Sequence, residues 1–182
     1  MANITLAVTG SISAYKAADL TSQLTKLGHK VTVLMSRSAM DFITPLTLQS
    51  LSKNLVHTEV MVEEDPSLIK HIDIAKETDL FLVAPASANT IAKLAHGMAD
   101  NIVTATALAL PIGIPKLIAP AMNTNMYLNP ATQKNLNTLE EYGFDEVKPR
   151  EALLACGDFG TGALAEVTDI LEKVSNTLDE KK

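Results

Sequence analysis

One cysteine and its glycine-rich surroundings are the first place where this sequence could do chemistry. Cys156, the only cysteine of the chain, lies in the stretch Leu154–Leu164 beside three glycines. A free thiol is mostly protonated at neutral pH, so it can donate a proton to a substrate. Alternatively, Cys156 could be a small side chain buried in the core, as free cysteines often are. The neighbouring glycines argue against that position. The same glycines predict a mobile loop that could close over a site as a flap.

An asparagine and a histidine are two further candidates. Asn123 lies in the segment Pro120–Tyr127, directly after an apolar run with the pattern of a strand. An amide there can donate a hydrogen bond to a substrate carboxylate or to a flavin edge, or it can simply cap a turn. His71 has Asp73 two residues further on, but residue types alone favour a structural role for it. No group of His, Cys, Asp or Glu has the spacing of a metal site, so we expect no metal.

Two turns that follow apolar strands are candidates for binding an anion. Gly10–Ser13 follows the run Ile4–Val8, and Ser87–Thr90 follows the run Leu80–Ala84. Where a strand ends and a helix begins, backbone N–H groups and small hydroxyls can hold a phosphate. A dinucleotide fingerprint needs three glycines at fixed spacing, but the first turn has one, so a mononucleotide such as FMN fits better. Each turn alone is equally typical of a capped helix, but parallel strands would bring both, together with Ser36, to one crevice.

The elements that must position these residues alternate between strands and helices. Strand patterns at Ile4–Val8 and Lys30–Met35 enclose a helix pattern that Gly28 ends, which is typical of a parallel sheet with right-handed crossovers. No linker or internal repeat divides the chain, so we predict one domain over residues 1–182. The fold class that follows is α/β, with a three-layer parallel sheet of flavodoxin or Rossmann type. The further predicted elements are helices over Pro45–Leu51, His71–Lys76, Asn89–His96, Ile102–Leu110, Pro130–Tyr142 and Ala165–Leu178, strands over Leu80–Ala84, Lys116–Ala119 and Phe144–Val147, and an exposed acidic loop at Glu63–Pro66.

Composition and charge narrow the class of function. The chain has 182 residues, of which 47% are apolar, and a net charge of −6, which argues against general binding to nucleic acid or anionic membranes. The absence of Trp disfavours a stacking platform for single-stranded nucleic acid. The start of the chain lacks a leader pattern, and prolines interrupt the apolar window Ile102–Met122, so we expect neither a signal peptide nor a membrane span. A single cysteine is typical of a cytoplasmic protein.

Three motifs in this order resemble one known family, the flavin-containing cysteine decarboxylases. They are Pro85–Thr90, Pro120–Tyr127 and Ala155–Gly162, and the resemblance extends over essentially the whole chain. It implies an FMN-binding enzyme that assembles as trimers, sometimes grouped into dodecamers, with FMN near a subunit interface. It also implies an activity of coenzyme A biosynthesis, the decarboxylation of 4′-phosphopantothenoylcysteine to 4′-phosphopantetheine.

The resemblance also implies roles for single residues. The family's active histidine falls on His71, its asparagine for the substrate carboxylate on Asn123 and its proton-donating cysteine on Cys156. Two positions depart from the usual pattern: Tyr127 stands where Trp is frequent, and Leu164 where Met is usual. We expect both departures to affect only packing around the substrate. The family's FMN contacts fall on Gly10, Ser11, Ser13, Ser36, Phe42, Ser87, Ala88, Asn89 and Thr90.

Two alternatives stay open within this resemblance. A related enzyme class decarboxylates the cysteine at the end of a peptide. A different class consists of non-catalytic relatives that bind and inhibit a protein phosphatase. Those relatives carry long acidic extensions, which Asp179–Lys182 does not resemble.

Overall fold

The centre of the molecule is a parallel sheet of six strands. The computed structural model describes residues 1–62 and 69–180, so the acidic loop predicted at Glu63–Pro66 lies outside the described residues. The order across the sheet is β3-β2-β1-β4-β5-β6, and every neighbouring pair is parallel. The order reverses between β1 and β4, where such sheets open a ligand crevice at the strands' carboxyl ends. The strands are β1 (Asn3–Val8), β2 (Lys30–Met35), β3 (Val56–His57), β4 (Leu80–Ala86), β5 (Lys116–Pro120) and β6 (Phe144–Glu146).

Helices cover both faces of this sheet. Alternate residues of one strand enter different cores: Leu80 and Leu82 pack on one face of β4, while Phe81 and Val83 pack on the other. A strand that is apolar on both faces needs cover on both sides, which confirms the predicted three-layer α/β fold. None of the helices within the described ranges is long and apolar enough to cross a bilayer. The helices are α1 (Lys16–Lys26), α2 (Pro45–Ser52), α3 (Lys70–Glu77), α4 (Ala88–Ala95), α5 (Ile102–Leu108), α6 (Thr124–Leu128), α7 (Pro130–Glu141) and α8 (Val167–Asp179).

The glycine-rich stretch differs from its prediction. It forms an antiparallel hairpin of β7 (Arg150–Leu153) and β8 (Phe159–Ala163), not a mobile loop without secondary structure. Close packing explains two of its three glycines, Gly160 and Gly162, because a Cβ at Gly160 would lie 2.5 Å from Thr124 Oγ1 and one at Gly162 would lie 2.2 Å from Met122 O. A second difference is α6, which the sequence did not predict. A third is α5, which ends at Leu108 and not at Leu110.

Candidate active site

The first turn of the crevice follows β1. Ser11 caps a short 3-10 helix over Ile12–Tyr15, and its hydroxyl accepts a hydrogen bond from Ser13 N at 3.3 Å. A Cβ at Gly10 would lie 2.4 Å from Ser38 Oγ, so the backbone approaches its neighbour more closely than a side chain allows. The turn therefore exposes backbone N–H groups and small hydroxyls at the edge of the sheet.

The second turn follows β4 and is tied to the first by a buried threonine. Ser87 caps α4 by accepting from Thr90 N at 3.3 Å. The Thr9 hydroxyl donates to Pro85 O at 2.7 Å and accepts from Ser87 N at 2.9 Å. Sequence reasoning missed Thr9, although its place between β1 and Gly10 is a signal for a residue that joins the two turns.

The third component of the site brings Asn123 and Cys156 together. Asn123 caps α6, where its Oδ1 accepts from Asn125 N at 2.8 Å. That bond leaves the amide nitrogen pointing away from the helix, and Nδ2 lies 3.4 Å from Cys156 Sγ. The thiol in turn lies 3.4 Å from Asp158 Oδ2. Cys156 is exposed, so the predicted alternative of a buried core thiol is wrong.

Packing between the hairpin and α6 holds this pair in register. Met122 N donates to Gly162 O at 2.9 Å. A Cβ at Gly162 would lie 2.2 Å from Met122 O, so only glycine allows β8 to come this close. The distance between Asn123 and Cys156 therefore depends on a backbone contact between two distant parts of the chain.

The two turns and the hairpin enclose one cavity of about 450 Å³. Within the described residues it is lined by both turns, by the segment after β5 and by β7 with its following turn. The predicted site residues that line it are Gly10, Ser11, Ser13, Ser87, Ala88, Asn123 and Cys156.

The remaining predicted site residues do not line this cavity. Ser36 lies beside it, with its hydroxyl 3.2 Å from that of Ser38, the neighbour of Gly10. Thr90 is buried against Ser87, while Asn89 is exposed. The last two, Phe42 and His71, are separate from the cavity in this chain.

His71 lies in the first turn of α3, on the connection between β3 and β4. Its ring atom Nδ1 is buried and makes no hydrogen bond within the described residues. The neighbouring acid Asp73 accepts from Ile69 N at 3.0 Å and pairs with Lys76 at 3.6 Å, so it does not orient the imidazole. The described part of a single chain thus leaves Nδ1 without a partner.

Tyr127 anchors the far end of α6 to the sheet. Its hydroxyl donates to Glu146 Oε1 at 2.9 Å, and Gln133 Nε2 donates to Tyr127 O. Burial raises the pKa of the Glu146 carboxyl, against the opposing effects of the tyrosine hydrogen bond and of Lys148. Burial and this acid together raise the pKa of Tyr127 to about 12. The effect of Tyr127 is therefore not confined to packing, because its hydroxyl bonds to Glu146.

Curated relatives match this chain over most of its length. A probable phosphopantothenoylcysteine decarboxylase of Streptococcus mutans is 61% identical over 175 residues, covering 96% of this chain and 98% of that protein. A bifunctional coenzyme A biosynthesis protein of Bacillus subtilis is 46% identical over 170 residues, covering 93% of this chain. The match spans only 41% of the length of that second protein.

Solved structures share the fold. A phosphopantothenoylcysteine decarboxylase variant in complex with pantothenoylaminoethenethiol has a TM-score of 0.88 and 32% identity, covering 98% of both chains. The FMN-dependent cysteine decarboxylase SpaF has a TM-score of 0.86 and 27% identity, covering 99% of this chain and 97% of its own. The Flavoprotein family matches residues 1–179. Because that match extends over nearly the whole sequence and the relatives agree with it, this chain belongs to the Flavoprotein family.

Proposed function

We propose that this protein is an FMN-dependent carbon-carbon lyase of coenzyme A biosynthesis. It removes the carboxyl group of 4′-phosphopantothenoylcysteine and yields 4′-phosphopantetheine. The observation that carries the proposal is the 3.4 Å contact between Asn123 Nδ2 and Cys156 Sγ, next to two helix-capping turns in one cavity. The 61% identity to a probable phosphopantothenoylcysteine decarboxylase supports the same substrate.

The crevice offers hydrogen-bond donors that fit FMN. Both turns offer backbone N–H groups at the start of a helix, as a phosphate requires, and the missing Cβ of Gly10 lets the first turn pack directly against Ser38. When bound, FMN supplies the redox chemistry by accepting an electron pair from the substrate and later returning it. In our proposal, FMN is held by Gly10, Ser11, Ser13, Ser36, Phe42, Ser87, Ala88, Asn89 and Thr90.

Asn123 orients the substrate. Its Oδ1 is engaged by Asn125 N, and its Nδ2 has two hydrogens, of which one points to Cys156 Sγ and the other can hold the substrate carboxylate until carbon dioxide leaves. Because the same Nδ2 lies close to Cys156 Sγ, a carboxylate bound there is next to the thiol. Holding the reacting groups in this geometry is the contribution of the amide to the rate.

Cys156 delivers a proton. After carbon dioxide has left, the Sγ proton moves to the carbon that carried the carboxylate. The exposed position of the residue allows water to reprotonate the thiolate. Asp158, 3.4 Å from Sγ, accepts the thiol hydrogen bond and restricts where Sγ can lie.

His71 acts in the decarboxylation half of the reaction, and we propose that it does so in an assembled oligomer. The chain's own cavity does not include this residue, and its buried Nδ1 has no partner within residues 1–62 and 69–180. Large apolar side chains are exposed at Phe42, Leu46 and Leu55, which is typical of a surface covered by another subunit. A homotrimer, alone or grouped into a dodecamer, would place such a surface between copies. We expect the assembly to work in the cytoplasm.

The direct test supplies 4′-phosphopantothenoylcysteine to purified, FMN-loaded protein. We expect equal amounts of carbon dioxide and 4′-phosphopantetheine, with no external oxidant or reductant consumed. Absence of carbon dioxide from a correctly folded, yellow protein would overturn the proposal.

A peptide ending in cysteine is the second candidate substrate. The observation that favours it is the exposed position of Cys156 at the tip of the hairpin, where a longer substrate can approach. The similarity to the structure of the FMN-dependent cysteine decarboxylase SpaF also supports this candidate. Supplying such a peptide in the same assay separates the two candidates, since we expect carbon dioxide only from the phosphorylated substrate.

A further inference from the structure

Two cations border the cavity on the side of the hairpin. Lys16 begins α1 and Arg150 begins β7, and both line the cavity. Glu166 lies between them: Lys16 Nζ is 3.5 Å from its Oε2, and Arg150 Nε is 2.9 Å from its Oε1. The three side chains therefore form one cluster with an excess of one positive charge, in a protein whose net charge is −6.

The cluster is built to accept a further anion. The side chain of Lys16 is only 19% exposed, so its charge is held close to the protein and partly shielded from water. Arg150 Nε is buried, and although Glu166 is close, its N–H makes no well-directed hydrogen bond within the described residues. The guanidinium therefore keeps donors for another oxyanion. A phosphomonoester, with several acceptor oxygens and close to two charges, suits a lysine and an arginine side by side.

The position of the cluster along the hairpin matches the length of a pantothenoyl arm. In β7, Arg150 and Ala152 are less exposed than Glu151 and Leu153. Arg150, Ala152 and Leu153 line the cavity. From Arg150 to Leu153 the strand rises about 10 Å, and the turn with Cys156 follows. About ten atoms join the phosphorus of the proposed substrate to its cysteine Cα, equivalent to about three residues of extended chain.

We propose that Lys16 and Arg150 bind the terminal phosphate of the substrate while its cysteine end lies at Asn123 and Cys156. The inference rests on the proposed function and adds the part of the site that selects a phosphorylated substrate. The arm extends along β7, so the strand measures the distance between the phosphate and the reacting carbon. Glu166 keeps the two cations together and prevents each from pairing elsewhere.

FMN also carries a phosphate, so the cations could have two ligands of the same chemistry. Two helix-start turns already offer N–H donors for the phosphate of FMN. Arg150, by contrast, lies on the same strand that leads to Cys156 and is not part of either turn. The geometry therefore assigns Arg150 to the substrate, and with it Lys16, which directly follows the first turn but shares Glu166 with Arg150.

The test compares a substrate with and without its phosphate. The variants are Arg150→Gln, Lys16→Gln and both together, and the control is Lys26→Gln, at the other end of α1. For 4′-phosphopantothenoylcysteine we expect KM to rise about tenfold in each single variant, as for the loss of a charge-assisted hydrogen bond, and further in the double variant. For pantothenoylcysteine we expect KM to stay within about a factor of two, and kcat to change little for either substrate.

Three results would overturn the inference. One is an equal rise in KM for both substrates, which would mean that the variants only disturb the hairpin. Another is a loss of FMN affinity, measured by flavin fluorescence, as large as the loss for the substrate, which would assign the cations to FMN. The third is an unchanged KM in the double variant.

A binding measurement keeps this inference separate from the proposed function. Calorimetry with 4′-phosphopantetheine and with pantetheine needs no turnover, so it works even if no carbon dioxide is released. We expect the wild-type protein to bind the phosphorylated compound at least about tenfold more tightly, and the double variant to lose that difference. Equal binding of the two compounds by the wild-type protein would refute the phosphate site, whatever the assay for carbon dioxide shows.

Discussion

The two sides of the cavity are built in different ways. On the sheet side, Ser11 and Ser87 bond to backbone N–H groups two and three residues away, and buried strands support both turns. On the hairpin side, Asn123 and Cys156 are 33 residues apart, and their side-chain contact depends on the backbone bond between Met122 and Gly162. The cofactor side therefore rests on helix caps formed by residues close in the chain and joined by Thr9, whereas the reacting side depends on a contact between distant, exposed residues.

This difference has a consequence for function. A phosphate and a flavin ring need a preformed cradle, and capped helix starts on a parallel sheet supply one without side-chain rearrangement. A substrate must enter and a product must leave, so the thiol belongs on an element that is less deeply packed. Four substitutions test whether the two sides differ in this way, and their expected effects decrease in the order Cys156→Ser, Gly162→Ala, Thr9→Val and Glu146→Gln.

Cys156→Ser should have the largest effect, because it removes the proposed proton donor and leaves the two capped turns unchanged. We expect carbon dioxide to be released while formation of 4′-phosphopantetheine falls by about 100-fold or more, so that the oxidised enethiol accumulates. Mass spectrometry of the products, with FMN content as the control, measures both. Full conversion to 4′-phosphopantetheine by this variant would remove the cysteine from the mechanism.

Gly162→Ala tests whether the hairpin contact sets the reacting geometry. The new Cβ would lie 2.2 Å from Met122 O, so β8 must move. We expect a loss of roughly 3 kcal/mol in the free energy of unfolding and a fall in turnover of about 100-fold. The control is Gly97→Ala, which also has a positive φ but whose new Cβ would meet no atom within 4 Å. Similar losses of stability and turnover in both variants would mean that backbone strain at a positive φ causes the effect, and not the contact with Met122.

Thr9→Val tests the sheet side. It removes the hydroxyl that donates to Pro85 O and accepts from Ser87 N, and it leaves that N–H without its partner. We expect the free energy of unfolding to fall by about 1–3 kcal/mol and FMN to bind more weakly, because the hydroxyl no longer joins the two turns. Thr9→Ser keeps the hydroxyl and should behave almost like the wild type in thermal unfolding and in flavin titration. Unchanged FMN affinity in the valine variant would mean that each turn is rigid by itself.

Glu146→Gln should have the smallest effect. Because the pKa of Glu146 is raised in the folded protein, folding favours its protonated form, and the free energy of unfolding falls as pH rises through the folded pKa. Glutamine still accepts from Tyr127 but does not ionise. The variant should therefore gain stability relative to the wild type between about pH 4 and about pH 7, as measured by denaturant unfolding at both pH values. If the difference in the free energy of unfolding between variant and wild type stayed constant across that range, the pKa of Glu146 would not be raised by folding.

Much of the fold follows from local patterns. The runs Lys30–Met35 and Lys116–Ala119 predict strands β2 and β5 almost to the residue, because parallel strands buried on both faces are continuously apolar. Gly28 and Gly97 correctly mark helix ends, since both have positive φ. The short helix α6 was missed because its five residues lie next to Pro130, and polar residues there also suit a turn.

The alternation of strands and helices, the two capped turns and the candidates Asn123 and Cys156 were predictable from the amino-acid sequence, because each depends on residues close in the chain. Tertiary structure alone decided that the glycine-rich stretch is a hairpin, since Gly160 and Gly162 are required by contacts with Thr124 and Met122, about 40 residues earlier. It also decided that Asn123 meets Cys156 and that His71 does not join them within one chain. Such contacts depend on how the layers pack, and no local propensity specifies that.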